Sequence, residues 1–127
     1  MKAVTVAVAL LRREGRWFLQ RRDLFSGHLA GAWEFPGGKA EPGESPEEAL
    51  RRELMEELTW EAGALRALAP ITHAYPDFIV TLHPFLAEGP ELPRTALAWG
   101  WFSAAEVSRL RVPEANAPLL DLLGRIP

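Results

Sequence analysis

The order of apolar and polar residues along the chain is typical of strands that alternate with helices. Residues 3–11 are mostly β-branched or apolar, with Val4, Val6 and Val8 in alternation, and this pattern predicts a strand. Further strands are predicted by similar runs at about 17–21, 33–35, 64–73, 78–86 and 97–102. The expected turns and loops are Glu14-Gly15, residues 23–32, Pro36-Gly37-Gly38 and Tyr75-Pro76-Asp77.

The clearest helix signal begins at Ser45. Ser45 is a suitable N-cap, Pro46 fits the first helical position, and Glu48 completes a capping box, so a helix is expected to run to about residue 58. Its predicted core face consists of leucines one turn apart: Leu50, Leu54 and Leu58.

Two shorter helices are predicted towards the end of the chain. Ser103 and Glu106 repeat the capping signature, and a last helix is expected over about 115–123 with Gly124 at its end. Strands interspersed with helices predict an α/β fold, and a length of 127 residues predicts one domain covering residues 1–127.

The composition excludes several classes of protein. No cysteine is present, which excludes a disulfide scaffold, a thiolate metal site and a cysteine nucleophile. No apolar run approaches the ~18 residues of a membrane-spanning helix, and the first residues lack the features of a signal peptide, so we expect a cytoplasmic protein without membrane attachment. A formal net charge of −3 does not favour stable binding to nucleic acid.

Residues 41–61 concentrate negative charge, with eight glutamates against two arginines. On a helix, Glu53, Glu56 and Glu57 point to the same side at the border of the buried face, where their repulsion costs roughly 0.2–0.5 kcal/mol per pair. A hard divalent cation would relieve this repulsion, and ligands with oxygen only favour Mg²⁺ or Mn²⁺ over Zn²⁺. A solvated acidic face without a ligand is the alternative interpretation.

The glycine turn and the acidic helix together match a family motif. Gly38, five residues, Glu44, seven residues and then 52–57 (Arg-Glu-Leu-Met-Glu-Glu) resemble the Nudix box, the signature of pyrophosphohydrolases that act on a nucleoside diphosphate linked to another group. The sequence departs from the family pattern at Thr59 and Trp60, where the family has glycine and an aliphatic residue. This difference concerns the turn after the helix more than the carboxylates.

The resemblance extends over nearly the whole chain and is greatest to the MutT subgroup, which hydrolyses 8-oxo-dGTP. The segments that carry it are Arg21-Arg22, Trp33-Glu34-Phe35-Pro36-Gly37-Gly38-Lys39, Tyr75-Pro76-Asp77, Trp101-Phe102 and Pro113-Glu114-Ala115-Asn116-Ala117-Pro118. The implied fold is the Nudix fold, an α/β/α sandwich around a mixed β-sheet.

The resemblance also implies catalytic roles for the matching residues. The residues implied to hold Mg²⁺ or Mn²⁺ are Glu53, Glu56, Glu57 and the carbonyl of Gly37. Glu53 is also the candidate base for the attacking water, and Arg52 is expected to pair with Glu44 and brace the loop against the helix. Cations between the carboxylates and a polyphosphate would neutralise charge and lower the pKa of a bound water.

The residues implied to bind substrate are Arg22, Phe35, Gly38, Lys39, Phe78 and Asn116. Lys39 is expected to contact phosphate, and Asn116 to read the purine edge with the donor and the acceptor of its side-chain amide. An asparagine just before Ala117-Pro118 is equally a suitable N-cap for the last helix, so the two interpretations stay open.

Two further positions differ from MutT-like enzymes. Phe78 stands where the subgroup has an arginine near the base, and Thr95-Ala96 stands where many Nudix enzymes supply an additional glutamate. Glu88 and Glu91 lie nearby but out of register. These differences affect the expected specificity and not the expected reaction class.

Three hypotheses follow. The first is a Mg²⁺-dependent nucleoside triphosphate pyrophosphohydrolase of MutT type, acting on a small-molecule nucleotide as a monomer or small homo-oligomer. The second is a Nudix hydrolase of CTP, ADP-ribose or a dinucleoside polyphosphate. The third is a Nudix-fold reader of a base or nucleotide without catalysis, which the intact carboxylate set argues against.

Overall fold

The computed structural model describes residues 2–24 and 27–127 of the chain. The strands are β1 (Lys2–Arg13), β2 (Arg16–Arg21), β3 (Trp33–Glu34), β4 (Gly37–Lys39), β5 (Leu65–Ala67), β6 (Ile71–Ala74), β7 (Phe78–Ala87) and β8 (Trp99–Phe102). The helices are α1 (Pro46–Leu58), α2 (Ala104–Val107) and α3 (Ala117–Leu123), and single turns of 3₁₀ helix lie at Gly27–Leu29 and Glu114–Asn116.

Strand β1 is the centre of a mixed sheet because it pairs with three other strands. One edge of β1 runs parallel to β7, from Lys2 opposite Phe78 to Leu11 opposite Ala87. Its other edge is antiparallel to β4 in the middle and to β2 at the end. Strand β2 continues the sheet to β3 and β8, and β7 continues it to β5 and β6.

The two faces of β1 are buried against different helices, because successive side chains of a strand point to opposite sides. Ala7 and Ala9 pack in a cluster with the leucines of α1, whereas Val8 and Leu10 pack in a second cluster with residues of α2 and α3. Burial on both faces explains why this strand is almost continuously apolar. The predicted α/β/α sandwich around a mixed sheet is confirmed.

Helix α1 spans Pro46–Leu58 as predicted, because its start is determined locally. The Ser45 hydroxyl accepts a hydrogen bond from the Glu48 N–H at 3.1 Å, and the Glu48 carboxylate accepts one from the Ser45 N–H at 2.9 Å. The same reciprocal pair joins Ser103 and Glu106 at the start of α2. Both predicted capping boxes are therefore present.

The single strand predicted over 64–73 is wrong, because the structure divides this segment into β5 and β6. Pro70 lies between the two strands and has no N–H to donate to the sheet. Each part pairs separately with β7. The last helix also starts later than residue 115, because a 3₁₀ turn at Glu114–Asn116 precedes α3.

The turn predicted at Pro36-Gly37-Gly38 is only partly correct, because Gly37 and Gly38 belong to β4. Gly37 has a φ of +149°, and a Cβ there would collide with the carbonyl oxygen of Ala7 on β1. Glycine is therefore required for the two backbones to approach each other. This approach brings the glycine pair alongside α1.

Two remaining predictions concern the loop at 23–32 and membrane attachment. The loop contains the 3₁₀ turn at Gly27–Leu29, while Phe25 and Ser26 lie outside the described residues. Within residues 2–24 and 27–127, no helix is long and apolar enough to cross a membrane.

Candidate active site

Helix α1 and strand β4 bring the acidic residues against the glycine pair. Glu53 is the closest: a Cβ at position 38 would lie only 2.5 Å from Cδ of Glu53. Any side chain at position 38 would therefore displace this carboxylate. Because glycine has no side chain, Gly38 leaves room for the Glu53 carboxylate beside β4.

Arg52 joins the acidic loop to the acidic helix. Its Nε and Nη2 donate to the two carboxylate oxygens of Glu44 at 2.8 and 2.9 Å, and its Nη1 donates to Glu53 Oε1 at 2.9 Å. The hydrogen bond from Arg52 holds the pKa of Glu44 at about 2, and the same contact with Glu44 raises the pKa of Arg52. The predicted pairing of Arg52 with Glu44 is thus a two-pronged ion pair.

Glu57 lies in a more enclosed environment than the other acidic residues of α1. Its pKa is raised to about 7, mainly by burial and in part by the negative charges of Glu53 and Glu34, against the opposing effect of the hydrogen bonds from the Gly37 N–H and Gln20. Its Oε2 accepts hydrogen bonds from the Gly37 N–H and from Nε2 of Gln20, each at 3.3 Å. This carboxylate is therefore held in place but is unfavourable to ionise without a cation.

The carboxylates of α1 are the type of ligand that a hard cation prefers, but their side chains do not converge on one point. Glu53 and Glu57 offer oxygen ligands beside the glycine pair, as Mg²⁺ prefers. The Glu56 side chain is instead 58% exposed and lies 3.4 Å from Nη1 of Arg52. Within the part of the chain that the structure describes, no three acidic, histidine or cysteine side chains converge as a ligand group. Glu53 and Glu56 both contact Nη1 of Arg52, so a cation held by all three glutamates would bind beside this guanidinium.

The six residues predicted to bind substrate all line one cavity of about 600 Å³. They are Arg22, Phe35, Gly38, Lys39, Phe78 and Asn116. The cavity lies between the glycine pair of β4 and the 3₁₀ turn before α3, and Gly37 also borders it. The residues singled out on the sequence from distant segments are therefore neighbours in space.

Asn116 lines this cavity from the 3₁₀ turn before α3. The residue is 7% exposed, and its side chain makes no capping hydrogen bond to α3. Tyr75 and Phe78 stack at 4.8 Å, and the Tyr75 hydroxyl accepts a hydrogen bond from the Ala115 N–H. Asn116 therefore stands at the predicted N-cap position of α3, but its side chain does not cap the helix and the residue borders an aromatic-lined cavity.

Three polar residues of the site were not predicted from the sequence. Glu34 lines the cavity and pairs with Arg22 at 2.9 Å. Gln20 contacts Glu57 through its Nε2, and its Oε1 accepts a hydrogen bond from the Thr95 hydroxyl at 2.9 Å. One available signal was composition, because Gln20 and Asn116 are the only side-chain amides and the structure buries both.

The geometry agrees with the results of comparison with known proteins. The NUDIX domain family matches residues 6–122. The chain belongs to the Nudix hydrolase family. An Escherichia coli K12 protein named 8-oxo-dGTP diphosphatase is 32% identical over 99% of this chain and 100% of its own length. Another protein of the same strain, named CTP pyrophosphohydrolase, is 36% identical over 95% of this chain and 91% of its own length.

Solved structures of Nudix relatives share the fold. The solution structure of the E. coli ORF135 protein superimposes with a TM-score of 0.80 at 34% identity, covering 98% of this chain and 91% of that chain. A MutT NUDIX hydrolase from Burkholderia pseudomallei gives a TM-score of 0.82 at 26% identity, with coverage of 95% and 98%. Both superpositions therefore extend over nearly the whole of this chain.

The Nudix box of this chain keeps its terminal turn although glycine is replaced. Thr59 follows α1 with φ 49° and ψ 42°, the left-handed conformation that the family's glycine would adopt easily. The N–H groups of Thr59 and Trp60 donate to the carbonyls of Met55 and Leu54 at 3.1 and 3.3 Å. Trp60 is buried, and its indole N–H donates to the Glu91 carbonyl.

Proposed function

We propose that this Nudix hydrolase is a Mg²⁺-dependent nucleoside triphosphate pyrophosphohydrolase of MutT type. Its substrates would be oxidised purine deoxynucleotides such as 8-oxo-dGTP, cleaved to the monophosphate and pyrophosphate, and its role would be sanitation of the nucleotide pool. The observation that carries the proposal is the shared cavity, which is lined by the buried Asn116 and by the glycine pair that Glu53 and Glu57 contact.

The aromatic end of the cavity suits a purine. Phe35 and Phe78 provide apolar walls, and the Asn116 amide offers one donor and one acceptor without competition from a capping bond. A planar base with an acceptor and a donor on the same edge would satisfy both groups of the amide at once. The arrangement therefore supports base recognition by Asn116.

The glycine end suits the polyphosphate. Lys39 borders the cavity there and supplies a positive charge, while Gly37 and Gly38 have no side chains to hinder approach of the chain of phosphates. A bound Mg²⁺ would neutralise phosphate charge and make water a better nucleophile. Glu53, hydrogen-bonded to Arg52 and packed against Gly38, is the group proposed to accept the proton of the attacking water.

Arg52 and Glu44 are proposed to hold Glu53 and the loop before α1 in fixed positions. The two-pronged pair fixes the loop before α1, and the remaining Nη1 of Arg52 fixes Glu53. Because positioning supplies much of the rate in phosphoryl transfer, an arginine that orients the base acts without touching the substrate. Glu56, Glu57 and the Gly37 carbonyl are proposed to bind the cation together with Glu53.

A second candidate function is hydrolysis of CTP. The relative named CTP pyrophosphohydrolase has 36% identity to this chain, slightly above the 32% of the E. coli relative named 8-oxo-dGTP diphosphatase. Phe78, in place of the arginine of the MutT subgroup, also removes a polar contact near the base. A pyrimidine substrate would leave part of the cavity around Tyr75 and Phe78 unfilled.

The deciding experiment is a substrate panel in saturating Mg²⁺ with 8-oxo-dGTP, dGTP, CTP, ADP-ribose and a dinucleoside polyphosphate. We expect 8-oxo-dGTP to have the highest kcat/KM, and Glu53→Gln to lower turnover at least ~10²-fold because it removes the proposed base. Glu61→Gln is the matched control, since Glu61 is an exposed glutamate beyond the end of α1.

The outcomes separate the two parts of the proposal. Preference for CTP or dGTP over 8-oxo-dGTP would reject the MutT substrate and leave the Nudix reaction intact. Near-wild-type turnover by Glu53→Gln would reject Glu53 as the base. Absence of hydrolysis on every nucleotide would support the non-catalytic reader.

A further inference from the structure

A chain of directed hydrogen bonds connects the segment between β7 and β8 to Glu57. The Leu97 N–H donates to the Thr95 hydroxyl oxygen at 3.1 Å, and the Thr95 hydroxyl donates to Gln20 Oε1 at 2.9 Å. Gln20 Nε2 then donates to Glu57 Oε2 at 3.3 Å. The whole series runs in one direction, from a backbone amide to a carboxylate.

The Thr95 hydroxyl determines which way the Gln20 amide points. A threonine hydroxyl has a single proton, and its oxygen already accepts a hydrogen bond from Leu97, so the proton is available for Gln20 Oε1. Gln20 is 3% exposed and lies in β2 between β3 and β8, where solvent does not compete for the amide. Its NH₂ group is therefore fixed towards Glu57.

The segment that carries Thr95 is itself anchored to the end of α1. The Arg94 N–H donates to the Leu58 carbonyl at 2.8 Å, and the Trp60 indole donates to the Glu91 carbonyl at 2.8 Å. Thr95 therefore has a defined position relative to the helix that carries Glu57. The hydrogen-bond series joins two parts that are already held together.

The series leaves the two oxygens of Glu57 unequal. Oε2 accepts hydrogen bonds from Gln20 and from the Gly37 N–H. Among residues 2–24 and 27–127, no hydrogen bond is donated to Oε1. We propose that Gln20, oriented by Thr95, is a positioning residue that holds Glu57 with Oε1 available to a divalent cation. This inference rests on the proposed function, because it assigns the cation to the same site.

Threonine at position 95 thus has a role different from that of a ligand. Many Nudix enzymes supply an additional glutamate from this segment, whereas here the segment supplies a hydroxyl that acts on Glu57 through Gln20. When a residue that hydrogen-bonds to a metal ligand is substituted, the metal affinity typically falls about 10- to 100-fold. The inference therefore predicts a measurable effect on cation binding in the absence of nucleotide.

The test measures Mn²⁺ binding to the substrate-free protein by electron paramagnetic resonance. Gln20→Leu keeps the side-chain size and removes both hydrogen bonds, and we expect it to raise the Mn²⁺ Kd about 10-fold. Thr95→Val should raise it less, and it should add nothing in the Gln20→Leu background because Thr95 acts through Gln20. Thr95→Ser keeps the hydroxyl and should retain wild-type affinity.

The matched control is Thr72→Val, which removes the hydroxyl that lies 3.4 Å from the Thr81 hydroxyl, on a different strand pair. It should leave the Mn²⁺ Kd unchanged. In hydrolysis assays, Gln20→Leu should raise the Mg²⁺ concentration for half-maximal rate while the nucleotide KM at saturating Mg²⁺ stays constant. If Gln20 only maintained the shape of the nucleotide cavity, Gln20→Leu would instead change the nucleotide KM.

Wild-type Mn²⁺ affinity in both Gln20→Leu and Thr95→Val would overturn the inference, as would additive effects of the two substitutions. Absence of Mn²⁺ binding by the wild type would also overturn it. If Gln20→Leu does not fold, Thr95→Val and Thr95→Ser decide the result. Failure of the proposed substrate is a separate outcome, because the Mn²⁺ measurement contains no nucleotide.

Discussion

At the scale of single residues, Thr59 is held in a conformation that its side chain does not favour. Its φ of 49° lies in the left-handed region, and a β-branched residue there is unfavourable by about 1–2 kcal/mol relative to the right-handed region. The side chain is exposed, so little packing depends on it. The hydrogen bonds that end α1 and the burial of Trp60 maintain the turn.

Replacement of this threonine by glycine should therefore stabilise the protein. We expect Thr59→Gly to raise the free energy of unfolding by about 0.5–1 kcal/mol, because relief of the backbone conformation outweighs the added flexibility of the unfolded chain. The measurement is the urea midpoint with an unchanged slope. Thr72→Gly, at an extended position in β6, should instead destabilise, and a lower midpoint for Thr59→Gly would contradict the explanation.

Asn116 can be tested separately from the chemistry at the other end of the cavity. Because it makes no capping bond, Asn116→Ala should leave the melting temperature nearly unchanged and weaken discrimination between bases. Loss of a bidentate contact predicts a fall in selectivity of about 10- to 100-fold, corresponding to about 1–3 kcal/mol. Comparison of kcat/KM for 8-oxo-dGTP and CTP provides the measurement. An equal loss on both substrates would indicate that Asn116 only maintains the fold.

At the scale of secondary-structure elements, α2 depends on its capping box. The Glu106 carboxylate accepts a hydrogen bond from the Ser103 N–H at 2.8 Å, and this bond holds the pKa of Glu106 below its ordinary value of 4.5. Because the pKa is lower in the folded than in the unfolded state, the stabilisation is present above pH 4.5 and is lost as the pH falls through the folded pKa.

The corresponding prediction concerns Glu106→Gln. This variant should have a lower melting temperature than the wild type at pH 7, and the difference should shrink as the pH is lowered from 5 towards 3. Circular dichroism melting curves at a series of pH values measure it. A difference that stays constant over this range would show that the charge of Glu106 does not support the helix.

The elements also show which features a sequence reveals. The start of α1 was predictable because Ser45 and Glu48 act on each other within one turn. Pairing of Gly37 with Val8 was not predictable, because it joins segments that are far apart along the chain. Thr95 was missed for the same reason, since its partner Gln20 precedes it by most of the chain and no local pattern links the two. Carboxylate spacing on α1 was evident, but the hydrogen bond from Arg52 to the adjacent Glu53 was not.

At the scale of the whole molecule, cation binding should stabilise the folded protein. Only the folded chain brings Glu53 and Glu57 to the glycine pair, so we expect Mg²⁺ to bind the folded state in preference. Mg²⁺ at about five times its Kd would add about 1 kcal/mol, which corresponds to about 3–5 °C in the melting temperature. Thermal unfolding with increasing MgCl₂ measures this shift, with NaCl of equal ionic strength for comparison.

Two variants give this measurement its specificity. Glu57→Gln should abolish most of the shift, whereas Glu61→Gln, at an exposed position, should keep it. An equal shift in both variants would mean that Mg²⁺ acts on the general charge of residues 41–61 and not at a defined site.

The central position of β1 has a consequence for folding during synthesis of the chain. Its main partner, β7, is synthesised only after more than half of the chain has followed, since Lys2 pairs with Phe78. A parallel pairing of such distant segments is slow to form, and until it does β1 presents apolar faces and an unpaired backbone edge to other molecules. Nascent or truncated chains that end before Ala87 should therefore depend on chaperones to stay unaggregated, although the finished enzyme buries this strand completely at its centre.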